Sequence, residues 1–323
     1  MCSLSAANES TSRCNKGRTM TRPTVQQLTI PDELFGELVD CAGATQDPAL
    51  VRAHLDEHGY ALLRGVLDQA EVQAGREEVF RRLEEVGEVK APAIDGIATN
   101  QSRRSEVIGG LHEFWRSVSE GAALRRVTHS RQLHTIMASV FGEPARAHDL
   151  MYLRPMPVGR ATSLHYDFPF FARRSLRIHT AWIPFGDIPL EDGPLMIVEG
   201  SNRFRDLIDP IREHDYEHNY ADEVIQKAAY EKPNETDVIS FALTRGARLL
   251  SANFRAGDLL VFGGFTLHGS LDNCSRNGRV RLSCDVRYQP ASDPCDDERY
   301  FGANPTGSHG GGYGDMKGAR PLA

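Results

Sequence analysis

The stretch TSLHYDFPFF, residues 162–171, places a histidine and an aspartate two positions apart within an apolar, aromatic run. That composition predicts a β-strand. Successive side chains of a strand point to opposite faces, so His165 and Asp167 would point the same way. Two metal ligands on one face of a rigid strand would form part of a metal site. Because an H-x-D triplet is also frequent by chance, a metal site requires a further ligand elsewhere in the chain.

The composition is that of an ordinary globular protein. The chain has 323 residues, of which 40% are hydrophobic and 25% are charged, and its formal net charge is -7. This negative charge argues against nucleic acid or an anionic membrane surface as a partner. No apolar run approaches the roughly 18 residues of a membrane span. We therefore expect neither nucleic acid nor a membrane as a partner, and the oligomeric state stays open.

The two ends of the chain and its cysteines bear on its organisation. Residues 1–24 are rich in Ser, Asn and Thr and lack the apolar run of a secretory signal, which predicts a disordered leader. Residues 301–323 are Gly-rich and are expected to form a tail or a lid over a site. The six cysteines include no C-x-x-C pair, which favours a reducing compartment. These features predict a cytoplasmic protein and leave targeting to an organelle open.

Helical patterns dominate the first half of the chain, and strand patterns dominate the second. PDELFGELVDCA, residues 31–42, and the stretch 67–87 repeat apolar residues every three or four positions, which predicts two helices. Asp68 is positioned to cap the second helix. From residue 146 onwards, Pro and Gly separate short apolar runs, as expected for strands. This order predicts one α+β domain over residues 25–300, with a β core buttressed by N-terminal helices.

A third metal ligand is expected because oxygenases bind ferrous iron through two histidines and one carboxylate. His268 is the best candidate, since it ends the strongly apolar run GDLLVFGGFTLHGS and precedes a Gly-Ser turn. Two other histidine pairs have helical i, i+4 spacing, namely His54 with His58 and His214 with His218. Both pairs lack the glutamate of the H-E-x-x-H zinc motif and lie in highly charged segments. We interpret them as solvated helix faces.

An alternating polar pattern follows His268 in the sequence RVRLSCDVRYQP. Arg279, Arg281 and Ser283 would face one way in a strand. A buried arginine can bind a carboxylate through two parallel hydrogen bonds, and a nearby serine adds a hydroxyl. The pattern therefore fits a carboxylate-binding strand, although it also fits a solvated edge strand.

Taken together, these motifs resemble those of the phytanoyl-CoA dioxygenase family within the Fe(II)/2-oxoglutarate-dependent dioxygenases. His165-x-Asp167, a distal His268 and an arginine 11 to 13 residues later occur in the order of that family. The resemblance extends from about Gly59 to Pro290. It implies a double-stranded β-helix, a jelly-roll and cupin-like core, with iron at its mouth.

The resemblance also implies a chemistry for individual residues. His165, Asp167 and His268 would bind Fe(II), with O2 and 2-oxoglutarate as co-substrates. Arg281-x-Ser283 fits the R-x-S pattern of the family for 2-oxoglutarate, whereas Arg279 fits the commoner spacing from the histidine. Three further residues lie where such enzymes contact the co-substrate: Thr180, Trp182 and Arg154. The implied reaction is hydroxylation or another oxidation of a small organic substrate, with release of succinate and CO2.

Several alternatives stay open at this level. Related halogenases replace the carboxylate ligand with a small residue, so Asp167 favours hydroxylation over halogenation. Desaturation, cyclisation and epimerisation use the same chemistry, and the substrate is not readable from the motifs. A cupin-like metal-dependent isomerase and a non-catalytic metal-binding protein on the same fold are the competing functions. Arg281 and Ser283 argue against the first, and the complete triad argues against the second.

Overall fold

The computed structural model describes residues 22–41, 47–107, 110–171, 174–214 and 237–322. Most of the leader predicted for residues 1–24 lies outside the described residues, as does His218. The α-helices of the described residues, numbered in chain order, are α1 (Pro48–His58), α2 (Gln69–Glu85), α3 (Arg104–Val107), α4 (Leu111–Ser119), α5 (Ala122–Thr128), α6 (Arg131–Phe141), α7 (Phe168–Phe171), α8 (Arg205–Glu213) and α9 (Val238–Arg245). The β-strands are β1 (Thr24–Val25), β2 (Leu28–Thr29), β3 (Phe35–Glu37), β4 (Tyr60–Leu63), β5 (Ala145–Met156), β6 (His179–Pro184), β7 (Leu195–Val198), β8 (Leu249–Ser251), β9 (Leu259–Gly263), β10 (His268–Ser270) and β11 (Arg281–Pro290).

Two larger sheets carry the core of the protein. The first has five antiparallel strands in the order β4-β9-β6-β11-β5. The second has four strands in the order β10-β7-β8-β3, in which only β3 and β8 run parallel. Strands that are distant in sequence are neighbours in both sheets, so the core closes only when the whole chain is assembled.

The two sheets pack against each other through a shared cluster of buried side chains. Leu62, Trp182 and Leu260 of the five-stranded sheet belong to the same cluster as Ile197 and Leu250 of the four-stranded sheet. The removal of this apolar surface from water stabilises the pairing of the sheets. The structure thus combines helices with packed sheets, and the predicted mixture of helix and sheet is confirmed.

Helices from the N-terminal half of the chain pack on the five-stranded sheet. Helix α2 begins where the Asp68 carboxylate accepts a hydrogen bond from the Glu71 amide at 2.9 Å, as predicted. Helix α6 ends at Gly142, whose φ of 72° is a left-handed conformation that favours glycine. Helix α6 contacts β5 and β11, and α2 contacts α5. Within the described residues, no helix combines the length and apolar character needed to cross a membrane.

The helix predicted for residues 31–42 is wrong. A single turn of 3-10 helix at Asp32–Leu34 leads directly into β3. Strand β3 pairs in parallel with β8, where Phe35 lies opposite Leu249. A pairing partner more than 200 residues away is not visible in local periodicity, and it outweighs the helical pattern here.

The regular strand predicted for residues 162–171 is also not formed. His165 pairs with His268 in an isolated bridge, and the chain then turns into the short helix α7. Pro169 lies within that helix and has no amide hydrogen to continue a strand ladder. The bridge nevertheless keeps the backbone at His165 beside that of β10.

The C-terminal residues 301–322 pack onto the domain. Two 3-10 turns, Gly312–Asp315 and Lys317–Ala319, contact helix α4. Tyr313, Met316 and Leu322 are buried in the main apolar core. The segment also contributes to the wall of a cavity beside the metal ligands predicted above.

Candidate metal centre and adjoining cavities

His165, Asp167 and His268 converge on one point beside β10, the edge strand of the four-stranded sheet. All three are buried, and one ligand atom from each lies within 4.8 Å of the others. The Oδ1 atom of Asp167 is 3.7 Å from Nε2 of His165 and 4.0 Å from Nε2 of His268. Among the described residues, this is the one group of three or more His, Cys, Asp or Glu side chains with such a spacing. The structure therefore brings the predicted triad together.

Backbone hydrogen bonds hold the two histidines side by side. The His165 amide donates to the His268 carbonyl at 2.9 Å, and the His268 amide donates to the His165 carbonyl at 3.1 Å. Their rings lie with centroids 4.3 Å apart. Both bonds form across one antiparallel bridge. They therefore fix His165, which lies on a loop, relative to His268, which lies on β10.

The hydrogen bonds of the rings define which nitrogen is free to bind a metal. Nδ1 of His165 lies 2.9 Å from the Ser163 carbonyl oxygen, and Nδ1 of His268 lies 2.9 Å from the Thr266 carbonyl oxygen. A carbonyl oxygen only accepts hydrogen bonds, so each Nδ1 is the protonated nitrogen. Each Nε2 then carries a lone pair and faces Asp167, as a metal ligand requires.

Burial keeps both histidines neutral. It lowers the pKa of His165 to about 3 and lowers the pKa of His268 as well. Burial alone would raise the pKa of Asp167, but Arg287, the two histidines and the Thr180 hydroxyl together hold that pKa well below its usual range. At neutral pH the site therefore offers two neutral imidazoles and one carboxylate.

Two buried side chains orient the Asp167 carboxylate. The Thr180 hydroxyl donates to Oδ2 at 2.5 Å, and Nη2 of Arg287 lies 2.8 Å from both Oδ1 and Oδ2. Thr180 was predicted as a co-substrate contact, and the structure places its hydroxyl on the metal-ligand carboxylate. Arg287 was missed, although it continues the alternation of Arg281 and Ser283 on the same face of β11.

A small cavity lies on the other side of the histidines and contains Arg281. Its wall includes His165, His268, Trp182 and Arg281. Nη1 of Arg281 donates to the Ser283 hydroxyl at 3.0 Å, while Nε and Nη2 are buried without a partner among the described residues. Burial lowers the pKa of Arg281 to about 10, which still leaves it charged at neutral pH. A buried cation with unused donors is suited to bind an anion.

Arg279 lines neither this small cavity nor the larger cavity described below. Its Nη1 atom is 3.2 Å from Oδ2 of Asp192, and its Nη2 atom donates to the Asp187 carbonyl at 3.0 Å. The side chain is about one-third exposed, at 32%. The structure thus separates the two arginines that the sequence left as alternatives, and it brings Arg281 to the metal ligands.

A larger cavity of about 150 Å³ opens on the Asp167 side of the triad. Arg154 borders both this cavity and the small one, and its Nε donates to Asp285 in an ion pair. The apolar part of the wall is formed by Tyr152, Phe170 and Phe171. The C-terminal segment completes the wall with the side chains of His309, Asp315, Met316 and Lys317. The triad therefore lies between two cavities of different size and lining.

The helical histidine pair that the structure describes in full forms no such centre. His54 and His58 lie on α1 with ring centroids 4.3 Å apart, and Nε2 of His58 is 3.8 Å from Glu57. Their segment contributes no third ligand at metal-binding distance within the described residues. The second pair is described only at His214.

This chain is similar in sequence or in fold to proteins with named activities. The 1-deoxypentalenic acid 11-beta-hydroxylase of Streptomyces arenae is 26% identical over 268 residues, covering 80% of this chain and 87% of the relative. The structure of the epimerase SnoN in complex with Fe3+, alpha ketoglutarate and nogalamycin RO matches with a TM-score of 0.50 and 21% identity, over 80% of this chain and 93% of that chain. EctD from S. alaskensis, with 2-oxoglutarate and 5-hydroxyectoine, matches with a TM-score of 0.50 and 18% identity, over 84% and 83% of the two chains.

The family comparison defines the class of the protein. The sequence profile of the phytanoyl-CoA dioxygenase family matches residues 55–280 of the 323. The protein is an oxidoreductase of the non-haem iron, 2-oxoglutarate-dependent dioxygenase class. The chain belongs to the phytanoyl-CoA dioxygenase family. The family and the enzyme class predicted from the order of the motifs are both confirmed.

Proposed function

We propose that His165, Asp167 and His268 bind Fe(II) and that the protein hydroxylates a small organic substrate. The observation that carries this proposal is the triad itself, with two lone-pair nitrogens and one carboxylate oxygen within 4.8 Å of one another. Two histidines and one carboxylate are the ligand set of non-haem iron oxygenases, and they leave coordination positions open. When bound, iron supplies the activation of O2 that is coupled to the oxidation of 2-oxoglutarate.

The small cavity is suited to the co-substrate. Arg281 would bind the carboxylate of 2-oxoglutarate that lies far from the metal, and Ser283 holds the guanidinium by accepting its hydrogen bond. The same cavity is bordered by His165 and His268, so one elongated dicarboxylate can contact the metal site at one end and Arg281 at the other. Trp182 forms part of the wall, and its ring packs on Phe254 with centroids 4.7 Å apart.

The larger cavity is suited to the primary substrate. Phe170 and Phe171 give it an apolar wall beside Asp167, where an aliphatic C–H bond could approach the metal site. A substrate that fills this cavity would displace water from the reacting atoms. The two relatives from Streptomyces are named as 11-beta-hydroxylases of 1-deoxypentalenic acid, which supports hydroxylation as the outcome here.

The two packed sheets support a double-stranded β-helix as the finer description of the fold. Strands β6, β9 and β11 would form the centre of one half, and β7, β8 and β10 would form the other. His268 at the start of β10 and the bridge to His165 then place the metal site at one open end of the barrel. This arrangement accounts for the burial of all three ligands beside two cavities.

The function is tested by succinate formation. Purified protein with Fe(II), ascorbate and 2-oxoglutarate is incubated with a panel of small organic acids, alcohols and amides, and succinate is quantified. A true substrate raises succinate formation above the uncoupled background, and its product gains one oxygen atom by mass spectrometry. Asp167→Asn should abolish both signals, whereas His54→Ala, in the helical histidine pair, should retain them. Succinate formation at the wild-type rate in the Asp167 variant would remove the assignment of the triad.

A further inference from the structure

The C-terminal segment 313–322 is docked beside the larger cavity by a buried ion pair. Arg104 and Glu88 have no exposed side-chain surface, and Nη2 of Arg104 lies 2.7 Å from Oε2 of Glu88. Nη1 of the same arginine donates to the carbonyl oxygens of Gly318 and Ala319, both at 2.8 Å. The Leu322 amide donates to Glu88 at 3.3 Å. The pair therefore ties the backbone of the segment to α3 and to the loop that follows α2.

Close packing adds to this attachment. A Cβ atom added at Gly318 would lie 2.2 Å from the Trp115 ring, so only glycine allows this approach. Tyr313 is buried as well, and its hydroxyl donates to Glu120 at 2.6 Å. Burial of a charged pair costs desolvation free energy. Such a pair is expected where a segment must hold one position. Lys317, which directly precedes Gly318, is thereby held at the cavity.

Lys317 carries a positive charge for which the described residues provide no ion-pair partner. It lines the larger cavity, and none of the carboxylates in the described part of the chain forms an ion pair with it. Burial and three arginines, Arg154, Arg160 and Arg320, lower its pKa. Of these three arginines, Arg154 also lines the larger cavity.

The acidic groups around the two cavities accept hydrogen bonds from protein donors. Asp167 accepts from Arg287, and Asp285, which lines the small cavity, accepts from Arg154. Asp315 accepts a hydrogen bond from the Gly311 amide at 2.9 Å. Arg154 uses its Nε for Asp285, and its other N–H groups have no partner within the described residues. Nε and Nη1 of Arg287 are buried without a hydrogen-bond partner among the described residues, so the unused donors of this cavity wall belong to Lys317, Arg154 and Arg287.

We propose that Lys317, together with the unused N–H groups of Arg154, binds an anionic group of the primary substrate. The substrate would then be an organic anion whose apolar body contacts Phe170 and Phe171 and whose charged end lies under the C-terminal segment. This inference rests on the proposed function, because it assigns the larger cavity to the substrate. Lysine is suited to the role, since its ammonium attracts carboxylates and phosphates alike as a point charge.

Three probes with one apolar chain and different charges test the proposal. Octanoate, octanol and octylamine are titrated by calorimetry into protein loaded with Ni2+ and 2-oxoglutarate, which occupy the metal site and Arg281 without turnover. We expect octanoate to bind more tightly than octanol, and octylamine to bind most weakly. Loading with Ni2+ and 2-oxoglutarate is measured first, so its failure would count against the proposed function separately. The same three titrations on the unloaded protein would still report the role of Lys317.

Matched variants assign the effect to one side chain. Lys317→Gln should weaken octanoate binding about fivefold, as for a partly exposed ion pair, and leave octanol binding unchanged. Lys317→Arg should restore the preference for octanoate. Lys90→Gln removes the other lysine of the described residues, with the same change in net charge, and should have no effect. Absence of octanoate binding, equal affinities for octanoate and octanol, or an unchanged octanoate affinity in Lys317→Gln would overturn the proposal.

Discussion

Arg287 donates hydrogen bonds to both carboxylate oxygens of Asp167, each at 2.8 Å, and both side chains are almost fully buried. The guanidinium also lies over the Phe171 and Tyr152 rings, 4.4 and 4.7 Å from their centroids. The negative charge of the proposed metal ligand is therefore already compensated by the protein. A metal ion at the triad would share this carboxylate with Arg287. The metal affinity therefore depends on the Arg287 guanidinium as well as on the three ligands.

The first prediction concerns the charge balance of this pair. Arg287→Gln leaves Asp167 buried without its cation, which should destabilise the metal-free protein by about 3 kcal/mol. Ni2+ at the triad replaces the lost positive charge, so it should stabilise the variant more than it stabilises the wild type. Chemical denaturation with and without Ni2+ measures both quantities. Arg177→Gln, at an exposed ion pair with Glu143, is the control and should show no such dependence on Ni2+.

The second prediction separates the two candidate arginines. Arg281→Gln removes the buried cation of the small cavity and should raise the Michaelis constant for 2-oxoglutarate roughly tenfold or more. Arg279→Gln breaks the ion pair with Asp192 and should lower stability, while the Michaelis constant stays close to that of the wild type. Initial rates of succinate formation at varied 2-oxoglutarate give both constants. A large rise in the Arg279 variant alone would mean that the structure-based choice of Arg281 is wrong.

The third prediction concerns the hydroxyl that contacts Asp167. Thr180→Val keeps the shape of the side chain and removes its hydrogen bond to Oδ2, which should weaken Ni2+ binding about tenfold. Thr180→Ser keeps the hydroxyl and should bind Ni2+ nearly as well as the wild type. Calorimetric titration of the three proteins gives the affinities. If valine and serine behaved alike, the hydroxyl would have no role in positioning the carboxylate.

The fourth prediction is a dependence of stability on pH that originates at His148. This side chain is 1% exposed, and burial lowers its pKa to about 3. An unfolded histidine has a pKa of about 6.5, so between these values the unfolded state binds the extra proton. Stability is therefore fully retained above about pH 6.5 and falls with decreasing pH, by about 1.4 kcal/mol per pH unit for this residue.

His148→Gln should reduce that slope. Glutamine keeps a donor toward the Gln289 side chain, which lies 3.3 Å from Nε2 of His148. Unfolding free energies of the metal-free proteins from about pH 4 to 7 measure the difference between the two curves. Parallel curves for wild type and variant would show that His148 is not the source.

Much of the candidate site was predictable because its residues alternate along strands. The spacing of Arg281 and Ser283 indicated one face of a strand, and β11 presents that face to the small cavity. The order of the triad motifs was sufficient to predict the family, which the family profile confirms. Local patterns failed where pairing is distant, as at β3, whose partner β8 lies more than 200 residues away.

The role of the C-terminal segment was not predictable from periodicity. A Gly-rich stretch indicates only a tail or a lid, because its glycines carry no side chains that reveal a packing face. The attachment depends on Arg104 and Glu88, which lie in segments with no sequence signal linking them to residues 318–322. Every residue has a backbone carbonyl, so the hydrogen bonds from Arg104 to Gly318 and Ala319 cannot be predicted from the identity of the accepting residues.

The most direct measurement of the central claim is an anaerobic titration of Fe(II) in the presence of 2-oxoglutarate, followed by visible charge-transfer absorption. We predict that the wild type develops the absorption with one iron per chain and that His268→Ala and Asp167→Asn do not develop it. His54→Ala should match the wild type. Full absorption in the two triad variants, or its loss only in the His54 variant, would contradict the assignment of iron to His165, Asp167 and His268.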